Sequence, residues 1–413
     1  MQIDLKGKAV LLAITGSISV YKACDLARLF VKAGAQVHVV MTASAERFVS
    51  SLTFEALTRN AVLTESSESW SSELNHIAIG KKCDVCIVAP ATANTLNKLS
   101  QGIADNILTQ TILAFNKPVV LAPAANTNML DNTFTKESLK RLEAQHYNIV
   151  TPQEKLLACG DVGSGALAEP EEIFFETARV LLKDVFWESR PVVVTGGGSR
   201  EKIDEVRYIS NFSSGKMAKS LCLALYLKGA RVHYLTSMGT EGLPLSISSE
   251  PFEEAQALLT CTQRALDSAI SEKKEPYLFM VAAVADFKPK VTQKGKVKKS
   301  SLGETWNIEL TQNPDILSSL KRDKVTTIAF KAEMDSKEGL NNAVNLLSQK
   351  SVDAVCYNLL KDATSFGGNE NEITFITKNE QIALGRSDKL TLSEKIVEAS
   401  KKLIPSKENN ASN

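Results

Sequence analysis

Lys8-Ala-Val-Leu-Leu-Ala-Ile14, followed by Thr15-Gly16-Ser17-Ile18-Ser19, is the stretch that decides the fold. The first part is an unbroken apolar run of strand length, as expected of a strand covered on both faces. A glycine-containing turn follows, then a helical pattern through Lys32, with Gly34 where a helix C-cap glycine belongs. Gln36 to Met41 predicts the next strand, and apolar runs at 85–89 and 119–122 predict two more, with helical segments between them. Buried strands alternating with helices indicate a parallel α/β sheet. A helix over 171–183 closes this half, and 184–190 reads as a short linker.

The pattern restarts at Pro191-Val-Val-Val-Thr195 and the turn Gly196-Gly197-Gly198, with a helix over about 216–228 and a strand over 231–235. Further strands are expected at 277–282, 305–310, 325–330, 352–357 and 372–377, and a last helix at 391–403. Lys-Ala-Gly-Ala-Gln-Val-His (32–38) is echoed by Lys-Gly-Ala-Arg-Val-His (228–233), which a helix–glycine–strand corner produces without duplication. The expectation is two doubly wound, Rossmann-like α/β domains, residues 1–183 and 190–405, with a polar, frayed tail at 406–413. Ligands in such sheets sit beyond the carboxyl ends of the strands, near the switch in strand order.

Composition limits the function classes. The 413 residues are 44% hydrophobic and 23% charged, with a net charge of +1. These values fit a globular chain and exclude collagen-like, disordered and disulfide-scaffold classes. They also exclude attraction of the whole surface to nucleic acid or anionic lipid. No apolar run approaches the length of a membrane span. The polar residues 1–8 precede a short apolar run that reads as a strand, not a signal peptide. Seven scattered cysteines suggest reduced thiols and a cytoplasmic location.

The glycine turns suggest phosphate at a helix N-terminus. A dinucleotide fingerprint needs G-x-G-x-x-G and an acidic residue about 20 positions on. The first half has only Gly16 in its turn; the second has Gly196 and Gly198, but Glu201 replaces the third glycine. The second strands end in Met41-Thr42 and Leu235-Thr236, so the ribose of NAD would lack a carboxylate partner. A mononucleotide in each half fits better. Ser17 and Ser19 offer hydroxyls to a phosphate monoester, or serve as plain helix caps. Pro90-Ala91-Thr92-Ala93-Asn94-Thr95 would let a flat ring approach the backbone, with Asn94 bonding a ring edge or ribityl chain; Thr92 or Asn94 could equally be a cap.

Among four histidines, His38 and His233 fall in strands and His146 in an exposed corner, which leaves His76 as the acid/base candidate. Cys83-Asp-Val-Cys86 has no second pair for zinc and runs into a strand, which turns residues three apart to opposite faces. Cys24, Cys222 and Cys356 read as small core residues, and Cys261 as helical. Cys159 differs, because it lies in a glycine-rich loop, Ala158-Cys159-Gly160-Asp161-Val162-Gly163-Ser164-Gly165, without periodic pattern. A thiol there could donate a proton to a ligand as the loop closes; a simple turn is the plainer alternative.

Taken together, Ile-Thr-Gly-Ser-Ile-Ser-Val-Tyr-Lys (14–22), Asn-His-Ile (75–77), Ala-Pro-Ala-Thr-Ala-Asn-Thr (89–95), Gly-Ile-Ala-Asp-Asn (102–106), Asn126 with Met129, and the Cys159 loop resemble the flavin-containing cysteine decarboxylases. Thr195 to Asp204, Ile209-Ser-Asn-Phe-Ser-Ser-Gly-Lys-Met217, Ala282-Ala-Val-Ala-Asp286, Lys296-Val-Lys-Lys299 and Asn313-Pro-Asp-Ile316 resemble the phosphopantothenate–cysteine ligases. Both halves in this order resemble the bacterial bifunctional proteins of coenzyme A biosynthesis, from about residue 8 to 403.

The resemblance implies a flavodoxin-like first domain that binds FMN and a second domain that uses CTP and Mg²⁺. The ligase would activate 4′-phosphopantothenate as an acyl-cytidylate, releasing pyrophosphate, for attack by the amine of L-cysteine. The decarboxylase would oxidise the cysteine side chain to a thioaldehyde, lose CO₂ to give an enethiolate, and return the electrons. Cys159 would be the proton donor, His76 the active-site histidine and Asn126 the contact to the substrate carboxylate. Gly16, Ser17, Ser19, Thr42, Thr92, Ala93 and Asn94 would hold FMN. Lys296 would be the ligase's catalytic lysine and Asn211 would handle the acyl-cytidylate. Met280, Val281, Ala282, Asp286, Lys296, Pro314, Asp315, Ile316, Leu317, Phe330 and Lys350 would bind CTP; no metal ligand is implied. Six lysines between 288 and 299 suit a triphosphate, or a solvated hairpin. The family's usual assembly would be flavin-half trimers joined by ligase-half dimers.

Three departures from the family pattern stand out: Ala125 for methionine, Leu130 for tryptophan, and Leu346 for a lysine. Ser199 for threonine keeps the hydroxyl. An NAD-linked flavoprotein oxidoreductase would need the missing ribose carboxylate and third glycine. A non-enzymatic flavin-binding regulator would have no use for Cys159 and the ligase lysines.

Overall fold

The computed structural model describes residues 2–156, 162–299, 304–334, 336–359 and 367–403. The chain divides between Leu182 and Lys183 into two bodies, each built on its own sheet. The expected tail at 406–413 lies outside the described residues.

The first body carries β1 (Ala9–Ile14), β2 (Gln36–Met41), β3 (Val62–Leu63), β4 (Val85–Ala91), β5 (Val119–Pro123) and β6 (Asn148–Ile149). They form one sheet in the order β3-β2-β1-β4-β5-β6, every pair parallel. The apolar runs at β1 and β4 are buried along their whole length, because helices cover both faces. Those helices are α1 (Val20–Lys32), α2 (Ala43–Glu46), α3 (Ser51–Thr58), α4 (His76–Lys82), α5 (Ala93–Gln101), α6 (Ile107–Leu113), α7 (Thr127–Asp131), α8 (Thr133–Ala144) and α9 (Pro170–Leu182). Strand order reverses between β1 and β4, so ligand-binding loops are expected beyond Ile14 and Ala91. Cys83 and Cys86 are both buried, and burial pushes the Cys83 thiol up to about 12 and the Cys86 thiol higher, which leaves neither inclined to ionise.

The segment read as an irregular glycine-rich loop is partly a strand. β7 (Gln153–Leu156) pairs antiparallel with β8 (Val162–Ala166). Gly163 and Gly165 belong to β8, and Cys159 itself falls between the strands, outside the described residues. An antiparallel partner a few residues upstream, itself mostly polar, converts part of the glycine run into a ladder.

The second body places β9 (Pro191–Gly196), β12 (Arg231–Thr236), β13 (Ser248–Pro251), β14 (Tyr277–Met280), β17 (Thr326–Glu333), β18 (Ala354–Leu359), β19 (Glu370–Thr377) and β20 (Gln381–Asp388) in one sheet. Its order is β13-β12-β9-β14-β17-β18-β19-β20, parallel as far as β18 and antiparallel for the last two strands. Two short hairpins lie outside it: β10 (Glu201–Lys202) with β11 (Tyr208–Ile209), and β15 (Phe287–Pro289) with β16 (Leu310–Gln312). Its helices are α10 (Lys216–Leu227), α11 (Ala255–Ile270), α12 (Ile316–Ser319), α13 (Ser336–Gln349) and α14 (Lys389–Ser400).

Three expectations change here. The strand expected at 305–310 survives only as β16, because its partner is the short β15. β20 carries no apolar run; as an edge strand it keeps half its side chains in solvent. The 184–190 stretch, read as a short linker, is packed into the second body. Trp187 is fully buried against Phe186 and Tyr277, with the Arg190 guanidinium 4.1 Å above the Phe186 ring.

Candidate functional sites

In the first body the carboxyl ends of three adjacent strands bring the expected flavin residues together. Thr15 Oγ1 donates to the Pro90 carbonyl (2.6 Å) and accepts from Thr92 N–H (3.1 Å), and Thr42 N–H donates to Ile14 O (3.1 Å). The turns after β1, β2 and β4 are thereby stitched into one rim. Gly16 is needed at that rim because a Cβ there would sit 2.5 Å from Ser44 Cβ. Ser17 and Ser19 do not cap α1 by accepting from its helical N–H groups. Ser17 Oγ accepts from Ser19 N–H (3.2 Å), and the helix start has no side-chain cap. The two hydroxyls are thus not committed to capping, while Val20 N–H and Lys22 N–H at the head of the 13-residue helix donate to Ser17 O and Ser19 O (3.0 Å each). At Thr92 the capping reading holds: its Oγ1 accepts from Thr95 N–H (3.3 Å). Thr42 caps α2 in the same way, accepting from Ala45 N–H (3.2 Å).

Asn94 is exposed on the first turn of α5 and, with Ala93, Asn97, Met129 and Phe134, lines a cavity of about 670 Å³. Asn97 turns a buried Oδ1 with no hydrogen-bond partner among these residues. Asn126 caps α7, accepting from Asn128 N–H (2.9 Å). β8 lies directly against it: Ala125 N–H donates to Gly165 O (3.1 Å), and a Cβ on Gly165 would stand 1.9 Å from Ala125 O. The hairpin that carries Cys159 is therefore anchored beside Asn126. His76 opens α4 outside that cavity's lining. Its Nδ1 lies 2.7 Å from Glu68 Oε1, and its ring meets Trp70 edge-on at 5.7 Å. With Nδ1 engaged by that carboxylate, Nε2 is the ring nitrogen left to meet a ligand. The departures have a packing reason: Leu130 is buried in the hydrophobic core, and Ala125 packs on it.

In the second body, two hydroxyls organise the backbone after β14. Thr195 Oγ1 accepts from both Val281 N–H and Ala282 N–H (3.1 Å each). Ser199 Oγ accepts from Ala285 N–H (3.0 Å), so the serine does what a threonine hydroxyl would. Asn211 Nδ2 donates to Val284 O (2.9 Å). These contacts shape a cavity of about 620 Å³ at the carboxyl ends of the strands. Asn211, Val281, Ala282, Asp286 and Phe330 line it together. Glu201, where a third glycine would stand in a dinucleotide site, is buried and accepts from Ala255 N–H (3.0 Å) at the start of α11. Its carboxylate serves the fold.

The other expected nucleotide residues are not in that lining. Met280 and Ile316 are buried in the core, with Leu317 packed on it. Asp315 caps α12 and pairs with Lys350. Pro314 adjoins that pair. Lys296 is exposed on a loop fixed on both sides: Glu205 N–H donates to Gly295 O (3.4 Å), and Val297 N–H to Asp204 Oδ2 (3.2 Å). Asp204 also receives the Arg207 guanidinium and two backbone N–H groups, which hold its carboxyl well below the usual range. At its start the lysine run belongs to the β15–β16 hairpin, where Lys290 pairs with Glu309 (2.6 Å). Leu346 packs against the apolar cluster around Leu347 and Ala343.

The cavity also contains Asn358, Asn371 and Lys389, which lie outside the motifs, and Lys216, which belongs to the 209–217 motif but was given no role there. The one available signal was Lys389 itself, a lysine in the first turn of a helix, where acidic side chains are favoured.

Two sequence families match these two bodies. Residues 2–182 match the Flavoprotein family, and residues 187–403 match the DNA/pantothenate metabolism flavoprotein C-terminal domain. The class is thus a flavoprotein domain followed by a pantothenate-metabolism domain. The coenzyme A biosynthesis bifunctional protein CoaBC of Haemophilus influenzae is 35% identical over 398 residues, covering 95% of this chain and 97% of that protein. Its Bacillus subtilis counterpart is 38% identical over 382 residues, 91% of this chain and 92% of that protein. A solved C-terminal domain of a CoaBC protein aligns with 53% of this chain and 98% of its own, at 26% identity and a TM-score of 0.44. The chain belongs to the family of coenzyme A biosynthesis bifunctional proteins. Its first body is the decarboxylase half and its second the ligase half.

Proposed function

We propose that the chain joins L-cysteine to 4′-phosphopantothenate at the expense of CTP and then decarboxylates the product to 4′-phosphopantetheine with bound FMN. The observation that carries the ligase assignment is the cavity after β9 and β14, where Asn211, Asp286 and Phe330 converge on a backbone held open by Thr195 and Ser199. The acid's carboxylate attacks the α-phosphorus of CTP, pyrophosphate leaves, and the cysteine amine displaces CMP from the acyl carbon. Asn211 would orient the acyl group, and Lys296, Pro314, Asp315 and Lys350 would reach the nucleotide from outside the described lining. Mg²⁺ would be held chiefly by the triphosphate and water, with Asp286 the carboxylate at hand. No group of three or more metal-binding side chains occurs among the described residues.

The first body suits FMN on two observations: a long helix that starts without a side-chain cap, and a cavity lined by Asn94 and by Asn97, whose Oδ1 is buried without a hydrogen-bond partner. Gly16, Ser17 and Ser19 would take the phosphate, and Thr42, Thr92, Ala93 and Asn94 the remainder. When bound, the flavin supplies reversible two-electron oxidation of the cysteinyl side chain, which makes loss of CO₂ feasible without an external reductant. Asn126 would orient the departing carboxylate, His76 Nε2 would move a proton, and Cys159 would return one to carbon. No described helix is long and apolar enough to cross a membrane. A cytoplasmic homo-oligomer of flavin-body trimers joined by ligase-body dimers completes the reading. The test is an absorbance spectrum of the purified chain together with turnover of the three substrates. A flavin band and release of pyrophosphate and CO₂ support it; protein that stays colourless after reconstitution with FMN refutes the flavin assignment.

A further inference from the structure

Lys389 opens α14 and is 6% exposed. Its Nζ donates to Gly368 O (2.6 Å). Lys216 opens α10 and reaches Gly367 O (2.8 Å) and Asn369 Oδ1 (3.1 Å). Both line the ligase cavity, and among the described residues their hydrogen-bond acceptors are all neutral. Among the described residues no carboxylate lies within 4.0 Å of either ammonium. The neighbouring charges are otherwise engaged. Lys331 pairs with Glu333 (3.1 Å), and the Asp388 carboxylate accepts from Leu390 and Thr391 N–H at the head of α14. Asp286 is the acidic side chain in the lining. Burial and Lys216 together push the Lys389 ammonium down to about 8.

Burying one ammonium without a counter-ion and setting a second close enough to repel it is unfavourable unless an anion completes the site. The same wall offers backbone donors. α10 begins after Gly215, whose φ of +68° few other residues tolerate, and the helix start has no side-chain cap. Two ammonium groups and free N–H donors complement a multiply charged phosphate. We infer that Lys389, together with Lys216, binds a phosphate group of a ligand in the ligase cavity. The inference rests on the ligase reading, in which both the nucleotide and the acid substrate carry phosphate.

A merely structural Lys389 would pin the Gly368 carbonyl, and the two roles predict different outcomes. The test uses the full-length chain and two variants, Lys389→Met and Lys389→Gln. The glutamine keeps a donor for Gly368 and loses the charge. Calorimetric affinities are measured for CTP, tripolyphosphate and 4′-phosphopantothenate, with cytidine and pantothenate as uncharged-end controls. Loss of a charge-assisted contact should weaken phosphorylated ligands about ten- to a hundred-fold in both variants and leave the controls unchanged. Weakening confined to CTP and tripolyphosphate assigns the site to the nucleotide; weakening confined to 4′-phosphopantothenate assigns it to the acid. The inference is overturned if Lys389→Gln binds every phosphorylated ligand as the parent does, or weakens the controls equally. Pyrophosphate release by the parent chain tests the ligase reading separately, so either can fail alone.

Discussion

Replacing Thr195 with valine removes one oxygen while keeping the shape of the side chain. That oxygen accepts from two backbone donors, Val281 N–H and Ala282 N–H, at 3.1 Å each. Both residues are half-buried on the cavity wall, so water can replace part of what is lost. A hydrogen bond contributes roughly 1 kcal/mol net, and an unsatisfied buried donor costs more. Two such bonds give about 2 kcal/mol, with little cavity term because the volume is conserved. For a body of this size that corresponds to a fall in Tm of roughly 4–8 °C. The freed backbone belongs to the stretch that bears Val284 O, the acceptor for Asn211. Ligase kcat/KM should therefore fall as well, while decarboxylation of supplied phosphopantothenoylcysteine stays at the parent rate. Scanning calorimetry and separate assays for pyrophosphate and CO₂ read all three quantities, and Thr195→Ser should restore them. A valine variant with parental melting and parental ligation would show that this hydroxyl does not hold the cavity wall.

Gly165→Ala should separate β8 from residues 125–127, since its Cβ would fall 1.9 Å from Ala125 O; CO₂ release should drop sharply, with a destabilisation of about 1–3 kcal/mol, while pyrophosphate release is retained. Cys159→Ser should stall CO₂ release and leave pyrophosphate release intact; unchanged rates of both would remove that loop from the chemistry. His76→Asn should slow decarboxylation by about 10²-fold or more, and Glu68→Gln, which replaces the carboxylate 2.7 Å from Nδ1, should slow it less. Burial, with Lys216 nearby, pushes the Lys389 ammonium down from an ordinary 10.5 to about 8 in the folded chain. Between those values the unfolded chain binds more protons, so this residue makes stability rise with pH across that window. Lys389→Met should flatten the rise by up to about 3 kcal/mol, read from urea midpoints at pH 7.5 and 10.5.

The strands beside the switch points were legible because apolar runs buried on both faces need no partner information. Gln36–Met41 occupies the span its residues predict, and 216–227 is helical as read. β20 was not legible, because an edge strand with alternating exposure resembles a polar loop, and β8 was hidden by its glycines. At the sites, motif reading located Asn211, Val281, Ala282, Asp286 and Phe330, which share a cavity. It could not see that Met280 and Ile316 turn into the core, or that Lys350 is engaged by Asp315 across the sheet's end. Lys389 lies far along the chain from the ligase motifs, and only the sheet brings α14 to the same cavity. Charge without a counter-ion is a property of three-dimensional packing, and no local pattern contains it.

The most direct measurement is a single incubation of the FMN-loaded chain with CTP, Mg²⁺, 4′-phosphopantothenate and cysteine labelled at its carboxyl carbon. The account predicts that pyrophosphate and labelled CO₂ are released in equal amounts as 4′-phosphopantetheine accumulates. Pyrophosphate without labelled CO₂, or label retained in the product after prolonged incubation, would contradict it.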